Sequence, residues 1–250
     1  MSQLVAAAEG YGGGKLELLW CAGKAGFFST DDELAAEYEL FTRTLSEFKS
    51  IYGSQLTVTL LSSAGGIYEG AAVVSRLDDV SVLRPYGRWK LRQEQWLAEQ
   101  GITARVFRVS SVYGDITTGQ RAGLINVLLE CAFSGTVAEV FASPTTLRDY
   151  VFADDVGRYI AGAVLEQREG AAYLLATGRP ASVDSLIKMV SSITHRHVRV
   201  QYRAQQENQS DIVLPKHLIP DDFNVSSLEE VVRLLARRRL GGLRDRSIAC

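Results

Sequence analysis

The strongest constraint on the fold is a regular alternation of strand and helix patterns in the first 114 residues. Short apolar runs predict buried strands at LELLWCAG (16–23), LTVTLLSS (56–63) and TARVFRVSSVYG (103–114). Helices are predicted between them, over 31–53, where Thr30 and Glu33 can form a capping box, and over 85–101. Because strands in this order are joined by crossover connections, they are expected to form a parallel sheet.

The second half of the chain is less regular but also mixes helices and strands. Helices are predicted over 123–135, 182–194 and 226–239. The stretch 138–167 reads as strand, loop, short strand and helix, and further strands are predicted over 171–178 and 198–204. The whole chain is therefore assigned to the α/β class.

Composition indicates an ordinary soluble globular protein. The 250 residues are 46% hydrophobic with a formal charge of −2, which gives no sign of a nucleic-acid or membrane partner. No apolar run is long enough to span a membrane, and the N-terminus lacks a signal-peptide pattern. Three widely spaced cysteines indicate a reducing compartment, so a cytoplasmic location is expected. Cys21 and Cys131 lie in apolar runs and are predicted to be core residues.

A tyrosine and a lysine lie four residues apart at the start of the predicted helix PYGRWK, so Tyr86 and Lys90 share one face. An ammonium near a tyrosine stabilises the phenolate, which makes the phenol a better acid or base at neutral pH. The preceding strand ends in Ser62-Ser63, and a serine hydroxyl can hydrogen-bond the same reacting oxygen. This combination suits proton transfer at an alcohol or carbonyl while a nicotinamide exchanges hydride.

Five motifs in order, LLWCAGKAGF, LLSSAGGIYEG, PYGRWKLRQEQWL, RVFRVSSVYG and LRDYVFADDVGRYI, resemble those of the extended short-chain dehydrogenase/reductases. Among these, the chain looks most like the NAD-dependent epimerase/dehydratase family that acts on nucleotide sugars. The resemblance covers roughly residues 16 to 195. It implies an incomplete Rossmann-like parallel sheet with helices on both faces, plus a smaller C-terminal α/β substrate-binding part.

The resemblance also implies roles for individual residues. Tyr86 would be the acid/base, and Lys90 would orient the nicotinamide ribose. The hydroxyl partner would be Ser63 or, as the alternative, Ser62. The further residues expected to lie against NAD or NADP are Ala22, Gly23, Lys24, Val109 and Ser110. The residues expected to contact a nucleotide sugar, taken to be a UDP-sugar, are Ser111, Arg148, Ala64 and Gly65, with Arg148 on the diphosphate.

Three positions depart from the family pattern. Ala64 stands where the family often has serine or threonine, which leaves the choice between the two serines open. Ser111 stands where the family usually has asparagine, and Trp89 is bulky for its place. Dehydratases of the family typically carry an acidic pair in the serine turn, whereas this chain has Ala64, Gly65 and Gly66, which favours an epimerase or reductase.

The family's N-terminal G-x-x-G-x-x-G turn, which brings the backbone close to the pyrophosphate, has no counterpart before LELLWCAG. The cluster EGYGGGK (9–15) precedes a strand, so Gly12, Gly13 and Gly14 are assigned to a turn. If LELLWCAG is the family's fourth strand, about 60 or more residues are missing, and this strand becomes an exposed edge.

Residues 1–114 are then expected to form the partial Rossmann-like core, strands 4–6 of the family. Residues 115–250 are expected to form mostly the substrate-binding part, with 151–178 returning to the core. The chain would be a fragment of a longer enzyme, or be completed as a homodimer or by another chain, or be a cofactor-free relative acting as a binding or assembly partner.

Other features have simpler interpretations. His195 and His197 lack a suitably placed acidic or cysteine partner, so no metal site is expected. Instead of a phosphate contact, Arg148 with Asp149 could form a surface pair. The basic segment 236–246 is interpreted as a solvated helix end. Three tyrosines are predicted to be packing residues: Tyr68, Tyr113 and Tyr150.

Overall fold

The computed structural model describes residues 15–21, 23, 25–71, 74–115, 122–168, 172–203 and 210–247, with side chains described up to residue 240. The chain divides into two compact units. Unit 1 comprises Met1–Val109 and Ile160–Leu175, and unit 2 comprises Ser110–Tyr159 and Ala176–Cys250. The glycine cluster assigned to a turn, Gly12 to Gly14, lies outside the described residues.

Unit 1 contains a four-stranded parallel sheet, which confirms the predicted fold class. The strands are β1 (Leu16–Trp20), β2 (Leu56–Ser63), β3 (Thr103–Val109) and β8 (Ala172–Leu175), in the order β1-β2-β3-β8. All three pairings are parallel. The helices of this unit are α1 (Asp31–Tyr52), the one-turn α2 (Ala64–Ile67), α3 (Pro85–Glu99) and the C-terminal part of α5 (Ala153–Leu165).

The core of unit 1 forms where α1 and α3 pack on one face of this sheet. Val58 and Leu60 of β2 are fully buried, together with Phe41 of α1 and Leu97 of α3. Fully burying a side chain of this size contributes about 1.5–3 kcal/mol. Helix α1 begins where the sequence predicted, because Thr30 and Glu33 form the reciprocal capping box.

The other sheet face carries a polar ladder across three strands. The Thr59 hydroxyl donates to Glu17 Oε1 at 2.5 Å, and Arg105 Nη1 lies 2.6 Å from the same oxygen. Thr59 and Arg105 are direct partners in the β2–β3 register. A one-residue slip would turn these polar groups to the opposite face, so the ladder favours this register.

The described residues of unit 2 form three strand pairs. These are β4 (Ser111–Tyr113) with β7 (Tyr150–Phe152), β5 (Val137–Val140) with β10 (Arg199–Tyr202), and β6 (Leu147–Arg148) with β9 (Ala181–Ser182). Its helices are α4 (Leu124–Ser134), α6 (Val183–Thr194), α7 (Leu228–Ser247) and the N-terminal part of α5. The predicted strand 103–114 is interrupted at Ser110, so its last residues form β4 in unit 2 rather than extending β3.

The core of unit 2 is built from α4, α6 and α7. Leu128, Leu129, Leu186 and Val232 are fully buried within it. The three tyrosines assigned to packing, Tyr68 in unit 1 and Tyr113 and Tyr150 in unit 2, are all buried. Burial raises the pKa of Tyr150 to about 12, so its phenol stays neutral at physiological pH.

The cysteine predictions have different outcomes. Cys131 is buried as expected, but the prediction for Cys21 is wrong, because this residue follows the end of β1 and is exposed. Over the described ranges, no three His, Cys, Asp or Glu side chains group as metal ligands would. In the same part of the chain, every helix is too short or too polar to cross a bilayer.

Candidate active site

The predicted site residues of unit 1 lie at the carboxyl edge of its sheet. Ser63 ends β2 and Val109 ends β3, and the two are direct partners in the register. Gly23 follows the end of β1. Parallel sheets of this kind bind ligands outside the carboxyl ends of their strands. Two residues predicted to contact the cofactor, Ala22 and Lys24, lie outside the described residues.

Tyr86 and Lys90 are brought together on α3. Lys90 is buried, and its Nζ lies 5.9 Å from the centroid of the Tyr86 ring, while Tyr86 itself is partly exposed. Pro85 occupies the first position of the helix, where a missing N–H has no consequence. The chain therefore presents the phenol at the start of the helix, with an ammonium one turn behind it.

Close packing of α2 against α3 fixes the position of Tyr86. A Cβ built on Gly66 would lie 3.0 Å from the Tyr86 ring, and a Cβ built on Gly87 would overlap the carbonyl oxygen of Gly66. The Phe27 ring flanks Tyr86 at a centroid distance of 5.1 Å and lies 3.3 Å from a Cβ built on Gly65. Gly66 and Gly87 are therefore needed for the backbone contact between these two helices.

Gly87→Ala is expected to destabilise unit 1 by about 1–3 kcal/mol, because the added methyl overlaps backbone that cannot rotate away. Gly162→Ala in α5 is the matched control. Nothing lies within 4 Å of its built Cβ, so this variant should be neutral or more stable by about 0.5–1 kcal/mol. Urea unfolding followed by tryptophan fluorescence compares the two, and equal stabilities would contradict the contact.

The two serines at the end of β2 have different partners. The Ser62 hydroxyl donates to Glu94 Oε1 at 2.5 Å, whereas the Ser63 oxygen accepts the backbone N–H of Gly66 at 3.1 Å and caps α2. A hydroxyl that accepts in this way still has its own proton to donate. Ala64, predicted to contact substrate, is fully buried in the turn that follows.

Ser62 belongs to a buried ionic cluster beneath the strand ends. Arg108 of β3 pairs with Glu94 of α3, with Nη2 and Oε2 2.6 Å apart and both side chains 9% exposed. Arg108 Nη1 also donates to the Tyr68 hydroxyl at 2.7 Å and to the carbonyl of Leu77. Burial raises the pKa of Tyr68, although Arg108 opposes the shift. The cluster joins β2, β3 and α3 below the site.

Sequence patterns did not reveal Glu37 as a neighbour of the site. Its Oε1 lies 3.5 Å from Lys90 Nζ, and its Oε2 accepts the backbone N–H of Ala25 at 3.0 Å. On the sequence it is one of many acidic residues of α1, 53 positions from Lys90. No local motif links residues so far apart, so only the tertiary structure could identify the pair.

The turn between β1 and α1, G-K-A-G-F-F-S, has two of the three glycines of a phosphate-binding turn, Gly23 and Gly26. The helix that it enters is unsuited to an anion. Its N-terminus is already capped by Thr30 and Glu33, and its first turn also carries Asp31 and Asp32. Three carboxylates repel a phosphate from the helix end that would otherwise attract it.

In unit 2, the Asp149 side chain accepts hydrogen bonds from several residues next to two predicted site positions, Ser110 and Arg148. Its buried carboxylate accepts hydrogen bonds from the Ser110 hydroxyl at 2.9 Å, from both the backbone N–H and the hydroxyl of Thr177 at 2.8 Å, and from the backbone N–H of Arg179 at 3.2 Å. The surface-pair interpretation of Arg148 with Asp149 is therefore wrong for Asp149, which is 2% exposed.

Arg148 and Ser111 lie on short strands of unit 2. Arg148 Nη1 donates to the carbonyl of Leu147 at 2.8 Å and to the carbonyl of Ser210. Ser111 begins β4, and its backbone N–H donates to the carbonyl of Asp149 at 3.1 Å.

Trp89, the bulky residue of the motif helix, packs against α1. Its Nε1 donates to Asp31 at 3.0 Å, and its ring centroid lies 5.2 Å from that of Tyr38. An open cavity of about 560 Å³ borders these residues and Arg92, but none of the predicted site residues lines it.

Comparison with known proteins identifies the family. The model of the NAD dependent epimerase/dehydratase family matches residues 23–176. A comparison with curated protein sequences gave no match.

Among solved structures, the chain is similar to the UDP-glucose 4-epimerase of Thermotoga maritima with UDP-glucose, at 22% identity over 91% of this chain and 78% of that one, with a TM-score of 0.74. It is also similar to the UDP-glucose 4-epimerase of Thermus thermophilus with NAD, at 17% identity over 95% and 81% of the two chains, with a TM-score of 0.79. A third is the UDP-N-acetylglucosamine 4-epimerase of Methanobrevibacter ruminantium, at 14% identity over 90% and 77%, with a TM-score of 0.74. The family model covers more than half of the sequence, and the chain therefore belongs to the NAD dependent epimerase/dehydratase family.

Proposed function

We propose that this chain is a nucleotide-sugar epimerase or reductase in which Tyr86 is the acid/base. The observation that carries the proposal is the Tyr86–Lys90 pair at the carboxyl edge of the parallel sheet, with 5.9 Å between the ammonium nitrogen and the ring centroid. An ammonium at this range stabilises a phenolate. Tyr86 can therefore take a proton from a sugar hydroxyl and return it to a carbonyl oxygen.

Ser63 is the hydroxyl partner in this proposal. Because it accepts a hydrogen bond from Gly66, its own proton is available for the same sugar oxygen. Ser62 already donates to Glu94, which makes it the weaker candidate. Gly66 contacts both residues, since its N–H donates to the Ser63 oxygen and a Cβ built on it would lie 3.0 Å from the Tyr86 ring.

The cofactor in this proposal is NAD or NADP, which when bound supplies the two-electron oxidation and reduction of the sugar. Lys90 suits the nicotinamide ribose of the cofactor, because its ammonium can donate hydrogen bonds to the ribose hydroxyl groups. It lies at the carboxyl ends of the strands, where Gly23 and Val109 also lie. The pyrophosphate of the cofactor would meet a less suitable surface. The turn after β1 leads into α1, whose first turn carries the carboxylates of Asp31, Asp32 and Glu33. The substrate proposed is a UDP-sugar, with Arg148 on the diphosphate and Ser111 and Gly65 as further contacts, while Ser110 is proposed as a contact of the cofactor.

Calorimetric titration with NAD(H) and NADP(H) tests this function. Micromolar binding is expected for the wild-type chain. Lys90→Met should weaken it by about tenfold or more, since a charged hydrogen bond contributes about 1.5–3 kcal/mol. Lys188→Met, at an exposed lysine with a side chain 75% accessible, is the matched control and should change nothing. Absence of binding at millimolar cofactor would overturn the proposal for the isolated chain.

A second candidate role is assembly through the edge of the sheet, as a homodimer or with another chain, without a cofactor. It is favoured by β1, whose only strand neighbour within the described residues is β2 and whose Leu19 is 48% exposed. An apolar edge strand is a template for pairing with another strand. Light scattering of the wild-type chain and of Leu19→Lys would test it, because the charge should lower the oligomeric state if this edge is the interface.

A further inference from the structure

Glu37 is tied both to the loop after β1 and to the helix that carries Tyr86. One carboxylate oxygen accepts the backbone N–H of Ala25 at 3.0 Å, and the other lies 3.5 Å from Lys90 Nζ. The side chains of Glu37 and Lys90 are only 12% and 11% exposed. The carboxylate also comes so close to Gly23 that a Cβ built there would lie 2.9 Å from Oε1.

These contacts determine where the Lys90 ammonium can point. A lysine ammonium has three N–H donors. Glu37 accepts one, and Gln93 Oε1 lies 3.3 Å from the same nitrogen. One donor is left for the Tyr86 side or for a ligand. The direction of that donor is set by the two acceptors rather than by the flexible lysine chain.

The charge of Glu37 also has a consequence. A buried amine without a counter-charge tends to lose its proton, whereas a carboxylate within about 4 Å holds the proton in place. A neutral amine could neither stabilise a phenolate nor donate charge-assisted hydrogen bonds to hydroxyl groups. The function proposed for Lys90 therefore requires a nearby anion, and within the described part of the chain Glu37 supplies it.

We propose that Glu37 is a positioning residue of the Tyr86–Lys90 site. It holds the Lys90 nitrogen in an ion pair, directs its remaining donor and couples α3 to the loop that follows β1. Glu37 does not touch the reacting atoms, and it acts through Lys90. The catalytic role of Glu37 rests on the proposed function, but its contact with Lys90 can be tested without measuring turnover.

Competitive acetylation of the folded chain at pH 7.5 measures the reactivity of Lys90. The ion pair with Glu37 holds the Lys90 nitrogen away from the reagent, so Glu37→Gln should raise the Lys90 labelling rate about tenfold or more relative to exposed Lys188, as read by peptide mass spectrometry. The introduced glutamine is close to isosteric, and its oxygen can still accept the Ala25 N–H, so the fold should persist. Glu39→Gln, at an exposed position of the same helix, is the control and should leave Lys90 unchanged.

Gly23→Ala provides a second variant that leaves the glutamate in place. Its methyl would lie 2.9 Å from Oε1 and should push the carboxylate away from Lys90. The same increase in Lys90 labelling is expected. If Lys90 reacts within twofold of its wild-type rate in both folded variants, the inference is overturned.

Turnover separates a positioning role from a merely structural ion pair. If the wild-type chain converts a sugar nucleotide, Glu37→Gln should lower kcat about tenfold while KM for the sugar nucleotide stays within about twofold. Equal losses in the Glu39→Gln control would contradict the role. If the wild-type chain binds no cofactor, the proposed function fails, whereas the labelling result still supports or overturns the Glu37 contact.

Discussion

Tyr86→Phe is expected to lower kcat for sugar-nucleotide conversion by about 10²- to 10⁴-fold, the range for a lost general acid/base. The ring remains to pack against Phe27, whose centroid lies 5.1 Å away, and against Gly66, so only the hydroxyl is removed. Cofactor affinity and melting temperature should therefore remain close to wild type. Steady-state kinetics with calorimetry measures both effects on the same preparation.

Tyr38→Phe is the matched control for this variant. Tyr38 also lies in unit 1 next to an aromatic ring, that of Trp89 at 5.2 Å, but it is not one of the predicted site residues. Its phenol should contribute nothing to turnover. If Tyr86→Phe keeps more than half of the wild-type kcat, the acid/base must be another group, and the proposed function of the site would have to be revised.

The second large effect is expected at the buried pair beneath the strand ends. Arg108→Met removes the guanidinium but leaves the Glu94 carboxylate 9% exposed, with the Ser62 hydroxyl as a remaining donor. Breaking a buried ion pair from one side costs about 3–5 kcal/mol. Urea unfolding can be followed by fluorescence, because all three tryptophans of the chain, at 20, 89 and 96, belong to unit 1.

Two comparisons make this prediction specific. Arg76→Met breaks the ion pair with Asp78, whose side chains are 73% and 74% exposed, and should change stability by less than about 0.5 kcal/mol. The double variant Arg108→Met with Glu94→Gln should be less destabilised than the sum of the single variants, with a coupling of about 0.5–3 kcal/mol. A cost below about 1 kcal/mol for Arg108→Met would show that the cluster does not stabilise the unit.

Short sequence signals predicted those helix and strand ends that depend on residues close to them in the sequence. The capping box of Thr30 and Glu33 gave the start of α1, and the branched residues of LTVTLLSS gave both ends of β2. The predicted helix 182–194 begins at Ser182, whose side-chain oxygen caps α6 by accepting the N–H of Ser185 at 3.1 Å. The Tyr86–Lys90 pair belongs to the same class, since a spacing of four on a helix implies a shared face.

Features that depend on distant residues could not be predicted in this way. The strand pattern 103–114 has no break at Ser110, because the break results from pairing with two different strand neighbours, β8 for β3 and β7 for β4. Asp149 is buried because Ser110, Thr177 and Arg179 supply its donors, and these residues are spread over the chain. The partners of Ser62 and Lys90, namely Glu94 and Glu37, lie 32 and 53 residues away.

The contact between Gly66 and Gly87 has a consequence for how the site responds to heat. Side-chain contacts soften on warming because alternative rotamers become populated, but a contact between main-chain atoms has no torsional states to exchange into. The distance between the serine turn and the Tyr86 helix is therefore set by the main chain and does not depend on a side-chain rotamer. On heating, we expect this distance to stay constant until the two helices separate.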